Sequence, residues 1–159
     1  MDNLSTYPVT QALSKAGIAA GTTSTYTTAN PVNYAIRSKL YSKAAVTNGA
    51  TPTTDASTGL AFKPVPSNFG SVFVFCFDAA GNIRVVQGGI EALDAGGAFI
   101  NAPQFPGVPD TVCPFAYFVV KAGATASSWT FGASSLSGAP GVTYAFQDVT
   151  AIPDRPQIA

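Results

Sequence analysis

Two kinds of apolar periodicity divide this chain. Over residues 9–16, Val9, Leu13 and Ala16 recur at helical spacing, and Gly17 or Gly21 stands where such a helix would stop. The pattern predicts one short amphipathic helix. The stretch Gly21-Thr22-Thr23-Ser24-Thr25-Tyr26-Thr27-Thr28 that follows is polar, β-branched and has little to bury, so it reads as an extended arm. From Tyr34 onward the period is two. Residues 34–41 alternate Tyr34 and Ile36 with Arg37 and Lys39 until Leu40-Tyr41 breaks the phase, the mark of a half-buried strand with an irregularity.

Residues 71–77 and 83–87, joined through Asp78-Ala79-Ala80-Gly81-Asn82, form the clearest hairpin signal in the chain. Strand side chains alternate, so Phe73, Phe75 and Phe77 point one way and Val72, Val74 and Cys76 the other. With both faces apolar, this strand must be covered on both sides, by two packed layers or by a subunit interface. Residues 115–120 have the same character, and Ser128-Trp129-Thr130-Phe131 and residues 142–146 alternate more cleanly. Residues 48–59 read as a loop. Residues 101–114, with Pro103, Pro106, Pro109 and Pro114, read as a stiff crossover barred from any ladder, Phe105 being its anchor if it docks elsewhere. The fold class is mainly β, an antiparallel β-sandwich or distorted β-barrel with a short N-terminal helix and an extended arm. Residues 1–30 form the helix and arm, 31–151 the β domain and 152–159 an extended C-terminal tail.

Composition narrows the function. Charged residues make up 10% of the 159, with 8 acids, 8 bases and no histidine, against about one-quarter charged in an ordinary domain. Much of the exterior must then be Thr, Ser, Ala, Gly and Pro, a surface suited to being docked against. Without imidazole, no Ser-His-Asp or Cys-His set can form within the chain, and no GxSxG elbow, P-loop or GxGxxG is present. No enzyme and no cofactor is expected. Glu91, the only glutamate, and Asp94 are the nearest approach to a glycosidase pair, but Asp55, Asp78, Asp94, Asp110, Asp148 and Asp154 mostly sit where aspartates bond turn backbone. A net charge of zero with scattered bases points away from nucleic acid. No apolar run nears the roughly 20 residues of a membrane span, and the N-terminus lacks a leader pattern, so assembly in a cytoplasm is expected. There Cys76 and Cys113 stay free thiols, with no CxxC or His to build a zinc site. Tyr26, Tyr34, Tyr41, Tyr117, Trp129 and Tyr144 offer the alternative of a sugar-stacking platform in a glycan- or receptor-binding module.

Residues 34–44, then Gly70-Ser71-Val72-Phe73-Val74-Phe75 through Asp78-Ala79-Ala80-Gly81-Asn82 to Val86-Gln87-Gly88, then residues 114–123, resemble a β-rich domain of tailed-bacteriophage virion proteins. The resemblance spans about residues 30–150 and is architectural, so it carries over no functional residue. It implies a decoration or cement protein on the capsid exterior whose partner is the major capsid protein, or, for the glycan- or receptor-binding alternative, a tail, fibre or capsid-surface module. The two-sided apolar strands at residues 71–77 and 115–120 and the sparse charge point to a homo-oligomer, by that likeness a trimer. On this reading residues 1–30 are the capsid-binding arm. Tyr7, Val9 and Leu13 would anchor it and Thr22, Thr25, Tyr26 and Thr28 would pair through backbone, in binding that salt weakens little because few charges take part.

Overall fold

A computed structural model describes residues 8–156, in which ten antiparallel strands and no helix occur. In chain order the strands are β1 (Gln11–Ala12), β2 (Ile18–Ala20), β3 (Tyr26–Thr28), β4 (Val32–Ile36), β5 (Lys39–Lys43), β6 (Val46–Gly49), β7 (Phe69–Asp78), β8 (Ile83–Ala92), β9 (Val112–Ala122) and β10 (Val142–Asp148). They make a four-stranded sheet, β10-β9-β7-β8, and two three-stranded sheets, β1-β4-β5 and β2-β3-β6. The hairpin β7–β8 turns where the sequence places it. The Asp78 carboxylate accepts the N–H of Ala80 and of Asn82, each at 2.9 Å. Gly81 takes the positive φ, 78°, that this turn needs.

The alternation along β7 sorts its side chains into two separate clusters. Phe73, Phe75 and Phe77 join Phe115, Phe118 and Val120 of β9 in the larger one, which the two small sheets cover with Ala12, Ile18, Tyr26, Val32, Tyr34 and Ile36. Trp129 and Phe131, from the segment before β10, fill the same layer. Trp129 meets Phe73 edge-on at 5.6 Å and donates its indole N–H to the Ser135 carbonyl at 2.8 Å. On the opposite face Val72, Val74, Cys76, Tyr117 and Val119 are covered by Phe99, by Phe105 and Val108 of the crossover, by Val149 just after β10 and by Ile152 of the tail. Both apolar faces are closed within one chain.

Five expectations need correcting. No helix forms at residues 9–16. Ala12 is buried while Val9 and Leu13 lie exposed, an alternation set by the pairing of Gln11 with Ala35 and Ala12 with Tyr34. Long-range pairing outweighs a helical spacing only two turns long. The arm is not free either. Residues 18–28 fold as the hairpin β2–β3, and β3 also pairs with β6, because Tyr26 and Thr28 alternate inward and find a core. Residues 34–41 are two strands rather than one, turning at Arg37-Ser38. Pro114 does enter a ladder, opposite Cys76, at a register shift that accommodates a residue with no N–H. Trp129 makes only an isolated bridge, to Val65, instead of a strand.

Candidate docking face

The sheet β1-β4-β5 buries one face, and its other face carries exposed side chains around a buried Ala35. Tyr34 and Tyr41 stack on the inner face with ring centroids 5.5 Å apart, and the Tyr34 hydroxyl donates to the Asp78 carbonyl at 2.8 Å, tying the small sheet to the main hairpin. Pairing places Gln11 beside Ala35 and Ala35 beside Leu40 in one row across the outer face. By alternation Val9 and Leu13 share that face. Val9, Leu13 and Leu40 are 46%, 48% and 70% exposed, so the outer face presents three separate apolar side chains, with Gln11, Asn33 and the buried Ala35 between them.

A rigid turn presents Leu40. Arg37 and Ser38 both have positive φ, 49° and 64°, the conformation of a two-residue hairpin turn that ordinarily selects Asn-Gly. It is held from β1: Ser38 Oγ accepts the Val9 N–H at 3.0 Å, Ser38 N–H donates to the Val9 carbonyl at 2.8 Å, and Arg37 N–H donates to Thr10 Oγ1 at 3.0 Å. The Arg37 guanidinium also pairs with Asp110 of the crossover. The leading residues of the chain clamp a conformation that side chains resist.

The anchors expected from sequence divide. Val9 and Leu13 lie on this face, and Leu40, which the sequence reading missed because it took residues 34–41 as one strand, completes it. Tyr7 lies outside the described residues. Thr22 and Thr25 stand in the β2–β3 loop, where the Thr22 N–H and Thr25 hydroxyl both donate to Asn48 Oδ1, at 2.8 and 3.3 Å. Tyr26 is buried, its ring 6.3 Å from that of Phe75, and Thr28 is buried with Oγ1 accepting the Val46 N–H. Neither is free for a partner. Phe105 is half-buried, edge-on to Tyr117 at 5.0 Å. Of the platform aromatics, Tyr26, Tyr34, Tyr117 and Trp129 are buried, and Tyr41 and Tyr144 half-buried. Asp94 accepts the N–H groups of Gly96 and Ala98 in its own turn, and Glu91 sits in β8 opposite Gly70, so the two make no acid–base pair.

The titratable groups behave as structural parts. Burial pushes the Asp78 carboxyl up, but the Asn82 backbone and side-chain donors, Arg84 and the Ala80 N–H outweigh it and hold the group below the usual carboxylate range. Burial raises the Cys113 thiol to about 12 against a lowering contact from the Ala35 backbone, and burial with the neighbouring Cys113 raises Cys76 well above its ordinary value. The two thiols are free and belong to clusters on opposite faces of the main sheet. Among the described residues no group of three or more Cys, Asp or Glu side chains could hold a metal ion. Comparison with protein-family models, curated proteins and solved structures returns no match.

Proposed function

We propose that the chain is a structural component of a tailed-bacteriophage virion, a decoration (cement) protein that binds the major capsid protein on the shell exterior. The resemblance in sequence suggests the particle, and the observation that carries the docking part is the exposure of three apolar side chains, Val9, Leu13 and Leu40, around a clamped hairpin. The sparse charge of the surface agrees with it. Cementing needs no active site. Apolar area buried against capsid subunits must be lost before the shell opens, at about 25 cal/mol per Å², and repetition over a lattice multiplies a modest gain per contact. A homo-oligomer, a trimer by the resemblance, belongs to the same reading, although the apolar faces of β7 and β9 are filled within one chain and ask for no second copy. The glycan-binding alternative draws no support from aromatics that lie mostly in the core.

The test is co-sedimentation of the full chain with empty capsids, with its copy number counted by mass spectrometry. A Leu13→Asp/Leu40→Asp double variant, both positions being exposed, should melt as the parent does yet lose attachment. Undiminished attachment by that variant, or a copy number too low to tile a shell, would overturn the reading.

A further inference from the structure

The outer strands of this protein are not treated alike. The edge of β8 is covered by residues 55–63, through Ala56 N–H on the Val85 carbonyl at 2.9 Å and Gln87 N–H on Asp55 Oδ2 at 2.7 Å. The edge of β1 receives the segment after β10, Ala12 N–H donating to the Thr150 carbonyl at 3.0 Å. β2 meets the end of β10, Ile18 N–H donating to Asp148 Oδ1 at 3.2 Å. β5 has no such cover. Its two-residue turn makes Ile36 and Lys39 a hydrogen-bonded pair, and bonded pairs alternate, so Lys39, Tyr41 and Lys43 direct their backbone groups at β4. Leu40 and Ser42 direct theirs outward. Both residues are exposed, and among the described residues neither has a hydrogen-bond partner for N–H or C=O beyond the sheet.

The side chains on this edge say what would fit it. Lys39 and Lys43 lie on the face of β5 that carries Tyr41, one at each end of the strand, and neither has a carboxylate partner among the described residues. Lys39 rests its ammonium 5.5 Å from the Tyr41 ring centre. Among the described residues the acids near this hairpin are engaged elsewhere, Asp110 by Arg37 and Asp78 by Arg84. A second copy of β5 is a poor occupant, because antiparallel pairing centred on Tyr41 sets Lys39 against Lys43 of the other strand, and like charges directly opposite repel. The edge is open in backbone and positive at both ends.

We propose that β5 is a strand-addition site for an extended segment of a partner protein with the pattern acid–x–apolar–x–acid, its carboxylates opposite Lys39 and Lys43, its central apolar residue opposite Tyr41, and an apolar x against Leu40. The pattern reads the same from either end, so parallel and antiparallel addition are both served. The inference rests on the docking reading above and names its chemistry. It also replaces the salt-insensitive binding expected from sequence with binding that salt weakens.

The experiment titrates the full-length ¹⁵N-labelled protein with the peptide Ser-Glu-Val-Tyr-Val-Glu-Ser, and with a version bearing Lys in place of both Glu. Shifts centred on the Leu40 and Ser42 amides are expected with the acidic peptide, with about tenfold weaker binding by the lysine version and weakening of the acidic one in high salt. Lys39→Glu/Lys43→Glu should reverse the preference. Ser42→Pro removes an N–H that faces away from β4, so it should abolish binding while leaving the melting transition in place. No shift at Leu40 and Ser42, or equal binding of the two peptides, overturns the proposal and leaves Lys39 and Lys43 as guards against edge-to-edge association. Peptide binding with no attachment to capsids would sink the virion reading and leave this one standing.

Discussion

The carboxylate of Asp55 accepts the N–H groups of Ser57, Thr58 and Gln87, at 2.7, 3.0 and 2.7 Å, from a buried position. It closes its own turn and fastens residues 55–63 across the edge of β8. Asp55→Ala strands these donors, and bonds to charged acceptors are worth about 1.5–3 kcal/mol each before partial rescue by water. A loss of about 2–3 kcal/mol is expected, read from the denaturant midpoint, with Asp55→Asn losing less because one acceptor remains. Sequence marked Asp55 as a turn residue, and it is one. Its bond to Gln87 was illegible, since nothing local in a sequence says which strand a loop will cover.

At the scale of elements, the β4–β5 hairpin holds two non-glycine residues at positive φ. Each costs about 1–2 kcal/mol relative to glycine. Replacing Arg37-Ser38 by Asn-Gly gives up an exposed ion pair and the Ser38 Oγ bond to Val9 but relieves both backbones, so a net gain of about 1 kcal/mol is expected in thermal or denaturant unfolding. A loss instead would mean that the clamp from β1 matters more than the strain. The same hairpin shows why part of the fold was hidden. β7, β8, β9 and β10 were legible because each is long and carries an apolar or alternating run, with a glycine or aspartate turn beside it. A turn written Arg-Ser carries no such punctuation, so β4 and β5 merged into one strand and Leu40 dropped out of the candidate face. Residues 8–30 misled for a related reason. Strands of two or three residues are too short to show a period, and their burial is supplied by neighbours far along the chain.

At the scale of the whole molecule, the absence of histidine sets the response to pH. Asp78 has its carboxyl lowered in the fold, so its contribution is present above the unfolded value of 3.8 and is lost as pH falls through the folded one. Cys113 and Cys76 are raised, so theirs is complete below the unfolded value of 9.0, and that of Cys113 is lost as pH climbs toward about 12. Buried Tyr26 and Tyr34, raised by burial, add to the alkaline loss. Between these limbs no side chain titrates at its ordinary value, and the melting temperature should be level from about pH 5 to pH 8. A step within that range would contradict this account. Chain order has a further consequence, which concerns synthesis. The N-terminal strands close the phenylalanine side of the main sheet, while residues 149–156 help close its valine side. Ala12 and Thr150, bonded to each other, leave a ribosome some 140 residues apart, on the order of ten seconds or more at known elongation rates. For about the second half of that interval β7 is already made while its valine-side lid is incomplete, so a nascent chain stalled before residue 149 should bind chaperones and yield to protease where one extended through residue 156 does not.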